Sequence, residues 1–151
     1  MKIAIACDHA GYDLKLAILP YLTKLGYEVH DLGTDNADTP TDYPDYAKKV
    51  AEKLLSGEVE RGILVCGSGA GVSIAANKIK GIYAAVCHDT YTAHQCVEHD
   101  AVNVICIGSR VIGIELAREV IKSFLGAKFT GEERHVRRTG KIKEIESQNT
   151  L

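Results

Sequence analysis

Short apolar runs alternate with longer stretches of helical period along this chain. Lys2–Cys7 is a compact apolar run, and Asp8-His9-Ala10-Gly11 separates it from Tyr12–Leu25. Within that stretch Leu14, Ala17, Ile18, Leu22 and Leu25 recur at three- and four-residue spacing, the period of an amphipathic helix. Gly26 ends it, and Tyr27–Leu32 reads as a second strand. Asp35–Pro44 is polar and holds two of the three prolines, which marks a loop. A helix over 43–56 follows, closed by Ser56-Gly57. The third strand, Gly62–Cys66, runs into Gly67-Ser68-Gly69-Ala70-Gly71 and a helix through Lys78. Ile82–Cys87 is the fourth strand, with a helix over 90–98, and Val102–Ile107 is the fifth, with a helix over 113–125. The stretch 132–147 is strongly charged and offers Ile142 and Ile145 as apolar contacts.

Strands that alternate with helices imply right-handed crossovers and a parallel sheet covered on both faces. The predicted class is therefore α/β, a three-layer αβα sandwich with a five-stranded parallel Rossmann-like sheet. In such a fold, ligands bind beyond the carboxyl ends of the strands. That rule selects Asp8 and His9, Gly33, Cys66–Gly71, His88 and Asp89, and Gly108–Arg110.

Composition narrows the class of partner. The length of 151 residues fits one domain, 1–151. A net charge of −2 gives no long-range attraction to nucleic acid or an anionic membrane, so an anionic ligand needs a local basic cluster. No stretch approaches the ~20 apolar residues of a membrane span, and the N-terminus lacks a cleavable signal pattern. The five cysteines (Cys7, Cys66, Cys87, Cys96 and Cys106) are odd in number and mostly lie in apolar runs, which suits reduced thiols. The expectation is a cytoplasmic protein.

The strand-end residues suggest chemistry. Three glycines in Gly67–Gly71 let backbone N–H groups approach a ligand, with a helix N-terminus behind them, which makes an oxyanion site. Such surroundings favour the thiolate of a neighbouring cysteine, so Cys66 becomes a candidate base. The alternative is that Cys66 is a small hydrophobe finishing a strand. Gly67-x-Gly69 with Asp89 imitates a dinucleotide fingerprint, but Val72 stands where its third glycine belongs. Asp8-His9 and His99 are acid–base groups that this reading places near one sheet edge. Arg134 and Arg138 are four apart and share a helical face, and Arg110 follows the fifth strand directly; guanidinium forks match phosphate oxygens. The alternative for the pair in the tail is a solvated charged face. Cys87, His88, His94, Cys96 and His99 match no common zinc spacing, so no metal site is expected.

Several motifs carry a resemblance: Cys7-Asp8-His9-Ala10-Gly11, Asp42-Tyr43-Pro44-Asp45-Tyr46-Ala47, Cys66–Gly71 with Ser73-Ile74-Ala75-Ala76-Asn77-Lys78, Gly108-Ser109-Arg110, and Arg134-His135-x-x-Arg138. Collinear from residue 2 to about residue 145, they resemble the ribose-5-phosphate isomerase B family. The resemblance implies an aldose–ketose isomerase without cofactor or metal, interconverting ribose 5-phosphate and ribulose 5-phosphate. It also implies a homodimer or homotetramer whose active sites are shared between subunits, with the helix near 132–147 packing at an interface. By position, Cys66 would shuttle the proton between C1 and C2, and the amides of Gly67, Gly69, Ala70 and Gly71 would stabilise the enediolate. Ser68 would move the hydroxyl proton, and His99, assisted by Asp8, would open the furanose ring. His9, Arg110, Arg134 and Arg138 would hold the phosphate, and Tyr43 would line the sugar site.

The chain departs from that family at Asp100, which occupies the slot of a substrate-contacting asparagine. Asp100 is expected to face an arginine such as Arg110, or solvent. The same family includes isomerases of galactose, allose and other sugar phosphates; the alternatives are isomerisation of another pentose, tetrose or hexose phosphate, or a binding protein without catalysis. Cys66 argues against the galactose-6-phosphate subunits that lack this thiol.

Overall fold

The computed structural model describes residues 1–148; residues 149–151, the end of the expected domain, lie outside the described residues. The elements follow in the order β1 (Lys2–Cys7), α1 (Tyr12–Lys24), β2 (Glu28–Asp31), α2 (Tyr43–Leu55), β3 (Arg61–Cys66), α3 (Ala70–Ala76), β4 (Ala84–Val86), α4 (Thr90–Asp100), β5 (Val104–Gly108), α5 (Ile114–Gly126) and α6 (Glu133–Gln148). The strands form one parallel sheet in the order β2-β1-β3-β5-β4. This is the α/β sandwich that the alternating pattern predicts.

Side chains alternate across a strand, so each strand feeds two cores. Ile3, Ile5, Ile63, Val65, Ile105 and Ile107 pack with α1, α4 and α5, whereas Ala4, Ala6, Leu64, Cys66 and Cys106 pack with α2 and α3. The second face is built from smaller residues, which lets α2 close on the sheet. A Cβ on Gly62 would lie 2.5 Å from Val50 Cγ1. In the first core Phe124 and Ile121 are fully buried, and each such side chain contributes about 1.5–3 kcal/mol.

The fourth strand is half as long as the pattern predicts, for a reason found in two asparagines. Asn77 accepts from Ala84 N–H at 2.9 Å and donates to Ala84 O at 2.8 Å, occupying the outer edge of β4 as a neighbouring strand would. Asn103 accepts from Tyr83 N–H at 2.9 Å and donates to Gly81 O at 2.9 Å. Side-chain amides thus replace ladder partners for residues 81–84. The fifth strand starts at Val104, because Ala101 takes the left-handed conformation (φ 55°) to end α4.

From β1 the chain crosses outward to β2, and from β3 it crosses the other way to β4. Adjacent strands with diverging connections leave a crevice beyond their carboxyl ends. Here that crevice lies past Cys7 and Cys66. The α6 helix stands apart, touching α4 through His135 and the segment before β4 through Glu146, whose carboxylate accepts from Gly81 N–H at 2.9 Å and lies 3.2 Å from the Tyr83 hydroxyl. Among the described residues no helix is long and apolar enough to cross a membrane.

Candidate active site

A cleft of about 400 Å³ opens at that crevice, lined by Asp8, His9, Tyr43, Cys66, Ser68 and Arg110 together with Ala10, Gly67, Gly71 and Val111. A short 3-10 turn, His9–Gly11, lies under the first loop, and the buried Asp8 caps it by accepting from Gly11 N–H at 3.1 Å. His9 Nδ1 accepts from Thr41 N–H at 3.1 Å. Neutral imidazole carries one proton, so an accepting Nδ1 leaves the N–H on Nε2 as a donor.

The Cys66–Gly71 loop is pinned from within. Gly69 N–H donates to Cys66 Sγ at 3.1 Å, and Ala70 N–H donates to Ser68 Oγ at 3.2 Å. The Ser68 oxygen is thereby held as an acceptor while its own proton is left to donate. Gly69 has φ +83°, a left-handed conformation that glycine adopts without steric cost. Close approach explains two further glycines: a Cβ on Gly71 would sit 2.7 Å from the Tyr43 ring, and one on Gly108 would sit 2.7 Å from Ser68 backbone atoms. With α3 only seven residues long, the amides of the loop matter more here than the dipole of the helix behind them.

A second set of bonds ties this loop to its neighbours. Ser109 N–H donates to Cys66 O at 2.8 Å, Arg110 N–H to Gly67 O at 3.1 Å, and Ser109 Oγ to Ala10 O at 2.7 Å. Gly108 N–H donates to His88 Nε2 at 2.9 Å. The Arg110 guanidinium lies over Gly67, where a Cβ would be 3.2 Å from Nη1. Sequence reasoning found the end of β5 through the strand-end rule but missed Ser109 as the tie between three strand ends. It also missed Thr41, which no local pattern marks.

Of the five cysteines, Cys66 is the one that lines the cleft. Burial pushes the Cys7 thiol up to about 11, with Lys15 partly countering it. Burial also raises Cys106. A hydrogen bond to Cys96, followed by burial, raises Cys87. The sulfurs of Cys87 and Cys96 lie 3.9 Å apart in the core, His88 is engaged at Gly108, and His94 faces Glu98 at 3.6 Å. These side chains do not converge, and no group of three or more His, Cys, Asp or Glu among the described residues is arranged to hold a metal ion.

His99, Asp100, Arg134 and Arg138 are not at this cleft. The α4 helix starts at the carboxyl edge, after β4, and runs back antiparallel to the strands for 11 residues, about 16 Å. Its last turn, with His99 and the exposed Asp100, lies at the opposite edge beside the start of β5. The reading that put Asp8-His9 and His99 at one sheet edge is corrected: a crossover helix ends where the next strand begins. For the same reason Arg110, at the cleft, is out of reach of Asp100 within the chain. The α6 helix docks at that far end, where the His135 ring stacks on His99 with centroids 4.1 Å apart and planes at 26°. Arg134 and Arg138 are exposed; Arg134 Nε meets Glu132 at 3.0 Å in a surface pair, of a kind that contributes about 0–1 kcal/mol.

Residues 3–142 match the family described as Ribose/Galactose Isomerase. The chain belongs to that family. It is 47% identical over 147 residues to ribose-5-phosphate isomerase B of Escherichia coli, covering 97% of each chain. It is 45% identical to D-erythrulose-4-phosphate isomerase of Pectobacterium atrosepticum, covering 87% of this chain and 86% of that one. The solved structure of Clostridium thermocellum ribose-5-phosphate isomerase B superposes with a TM-score of 0.96 at 49% identity, over 99% of this chain and 100% of that one. The expected enzyme class, an aldose–ketose isomerase of sugar phosphates, is the class of this family.

Proposed function

We propose that this chain interconverts ribose 5-phosphate and ribulose 5-phosphate through an enediolate, with Cys66 as the base. The observation that carries this reading is Cys66 Sγ, held by Gly69 N–H under a glycine loop in the cleft at the sheet's crevice. In the forward direction the Cys66 thiolate takes the proton from C2 of the open-chain aldose and returns it to C1. Negative charge develops on the substrate oxygens in between, and preorganised amides of Gly67, Gly69, Ala70 and Gly71 stabilise it. Ser68 passes the hydroxyl proton between O1 and O2. His9, through Nε2–H, and Arg110 bind the phosphate, and Tyr43 lines the sugar.

The remaining groups come from a second copy. His99, Arg134 and Arg138 lie at the far edge of their own sheet, so they complete the cleft of a partner in a homodimer or homotetramer. Exposed apolar side chains support this: Val111 and Ile114 beside the cleft, and Val136, Ile142 and Ile145 on α6. Such residues mark contact surfaces when they cluster. In this arrangement residues 1–151 act as one domain whose last helix packs at the interface, and Asp8 of one copy assists His99 of the other.

The name of the Pectobacterium relative supports a second reading, a tetrose phosphate as substrate, and Asp100 in an asparagine slot suits a change of sugar. A panel of aldose phosphates in D₂O, followed by ketose formation and deuterium at the transferred position, separates the readings. The expected result is the highest kcat/KM with ribose 5-phosphate. A tenfold preference for erythrose 4-phosphate, about 1.4 kcal/mol, selects the tetrose, and no turnover or exchange with any sugar leaves a binding protein.

A further inference from the structure

His135 is buried (1% exposed) in a helix that is otherwise mostly solvated. Its Nδ1 is hydrogen-bonded to Thr130 Oγ1 at 2.7 Å, and Thr130 N–H donates to Glu98 O at 3.0 Å, one residue before His99. Its ring lies flat on that of His99. Loss of solvent lowers its basicity, and the neighbouring His99 and Arg134 lower it further. A neutral ring stacks on a histidine without charge repulsion.

We propose that His135 is a positioning residue for ring opening, holding the His99 imidazole in the orientation that the furanose oxygen requires. This rests on the role of His99 given above. In that step C1–O4 breaks and C1=O forms; the His99 ring gives a proton to O4, and the anomeric hydroxyl gives its own to Asp8. His99 sits on the last turn of α4, and a side chain there with two rotatable bonds keeps a reactive orientation only if something holds its plane. Stacking on one face does so and leaves the nitrogens, at the ring edge, open to substrate. Correct orientation is worth large factors in rate because it removes the search for a reactive geometry.

Two reactions that share Cys66 separate this role from a general loss of structure. Ribose 5-phosphate closes to a furanose. Ribulose 5-phosphate has its O5 phosphorylated and no other hydroxyl placed to close a five-membered ring on C2. Exchange of its C1 proton in D₂O therefore needs the base and no ring opening. His135→Ala is expected to slow ribose 5-phosphate turnover about tenfold or more while exchange stays within about twofold, and His135→Phe, which keeps the stack, is expected to recover most of the loss. Thr130→Val, which removes only the anchor of Nδ1, is expected to give the same split at a few-fold, and it carries the test if the alanine variant does not fold. Equal loss of both reactions, or loss of neither, overturns the proposal. His99→Ala is the control: if it fails to split the two reactions, the ring-opening role itself falls. A split with His99→Ala and none with the His135 and Thr130 variants removes His135 alone.

Discussion

At the carboxyl end of the sheet, loops from three strands are bound to one another through Cys66 O, Gly67 O and Ala10 O, and glycines let them touch. At the amino end, His99, Arg134 and Arg138 ride on the last turn of α4 and the start of α6, held by one ring stack and a few hydrogen bonds. The first region is a preorganised hollow that suits charge developing on a substrate, since fixed dipoles need no rearrangement as the charge forms. The second holds the half-buried His99 and the exposed Arg134 and Arg138, none of which lines that hollow. The contrast sets groups gathered in one hollow against groups held at the other edge of the sheet, and in the proposed reaction the two sets meet only when a second copy docks.

The largest expected effect tests both regions at once. Cys66→Ala is expected to lower kcat by about 10²–10⁴ with KM little changed, because a positioned base contributes that much. His99→Ala is expected to be impaired at the other end. In a one-to-one mixture with subunit exchange, half of the assemblies pair the two variants and each of these has one intact site, so about a quarter of the activity should return in a twofold assembly. An inactive mixture would show that the two ends do not meet across an interface. A Cys66→Ala enzyme keeping more than about a tenth of its turnover would take the base away from the cleft.

Next in size is phosphate recognition. Hydrogen bonds to charged groups contribute about 1.5–3 kcal/mol, so Arg110→Ala, Arg134→Ala and Arg138→Ala should each raise KM roughly ten- to a hundredfold. In the proposed assembly Arg110 would serve the cleft of its own chain and the other two would serve the partner's. If only Arg110→Ala changes KM, the exposed arginines of α6 are a solvated face and the far end contributes His99 alone. The smallest effect sharpens the comparison at one residue. Asp100 is exposed, and an ionised carboxylate cannot donate to a substrate oxygen. Asp100→Asn is therefore expected to leave kcat/KM for ribose 5-phosphate within a few-fold or to improve it. A fall of about a hundredfold, or 2.7 kcal/mol, would show that the carboxylate itself is used and would favour another sugar.

Local pattern determined much of this protein. The three-and-four spacing in Tyr12–Leu25 appears as α1 with Leu14, Ile18 and Leu22 buried. The alternation in Lys2–Cys7 and Gly62–Cys66 divides two cores, and the residues after β1, β3 and β5 line the cleft. These follow from periods of two and 3.6 residues, which any segment carries by itself. Tertiary structure decided the rest. β4 is trimmed because Asn77 and Asn103 side chains take the bonds that a ladder would make, a substitution visible only when distant segments meet. His9 takes its tautomer from Thr41, 32 residues away. His135 looks like one more polar residue in a charged helix, yet it is buried against His99 because α6 packs on α4. The separation of His99 from Cys66 is likewise a property of the crossover: spacing along the chain says nothing of which edge a helix end reaches until the direction of every element is fixed.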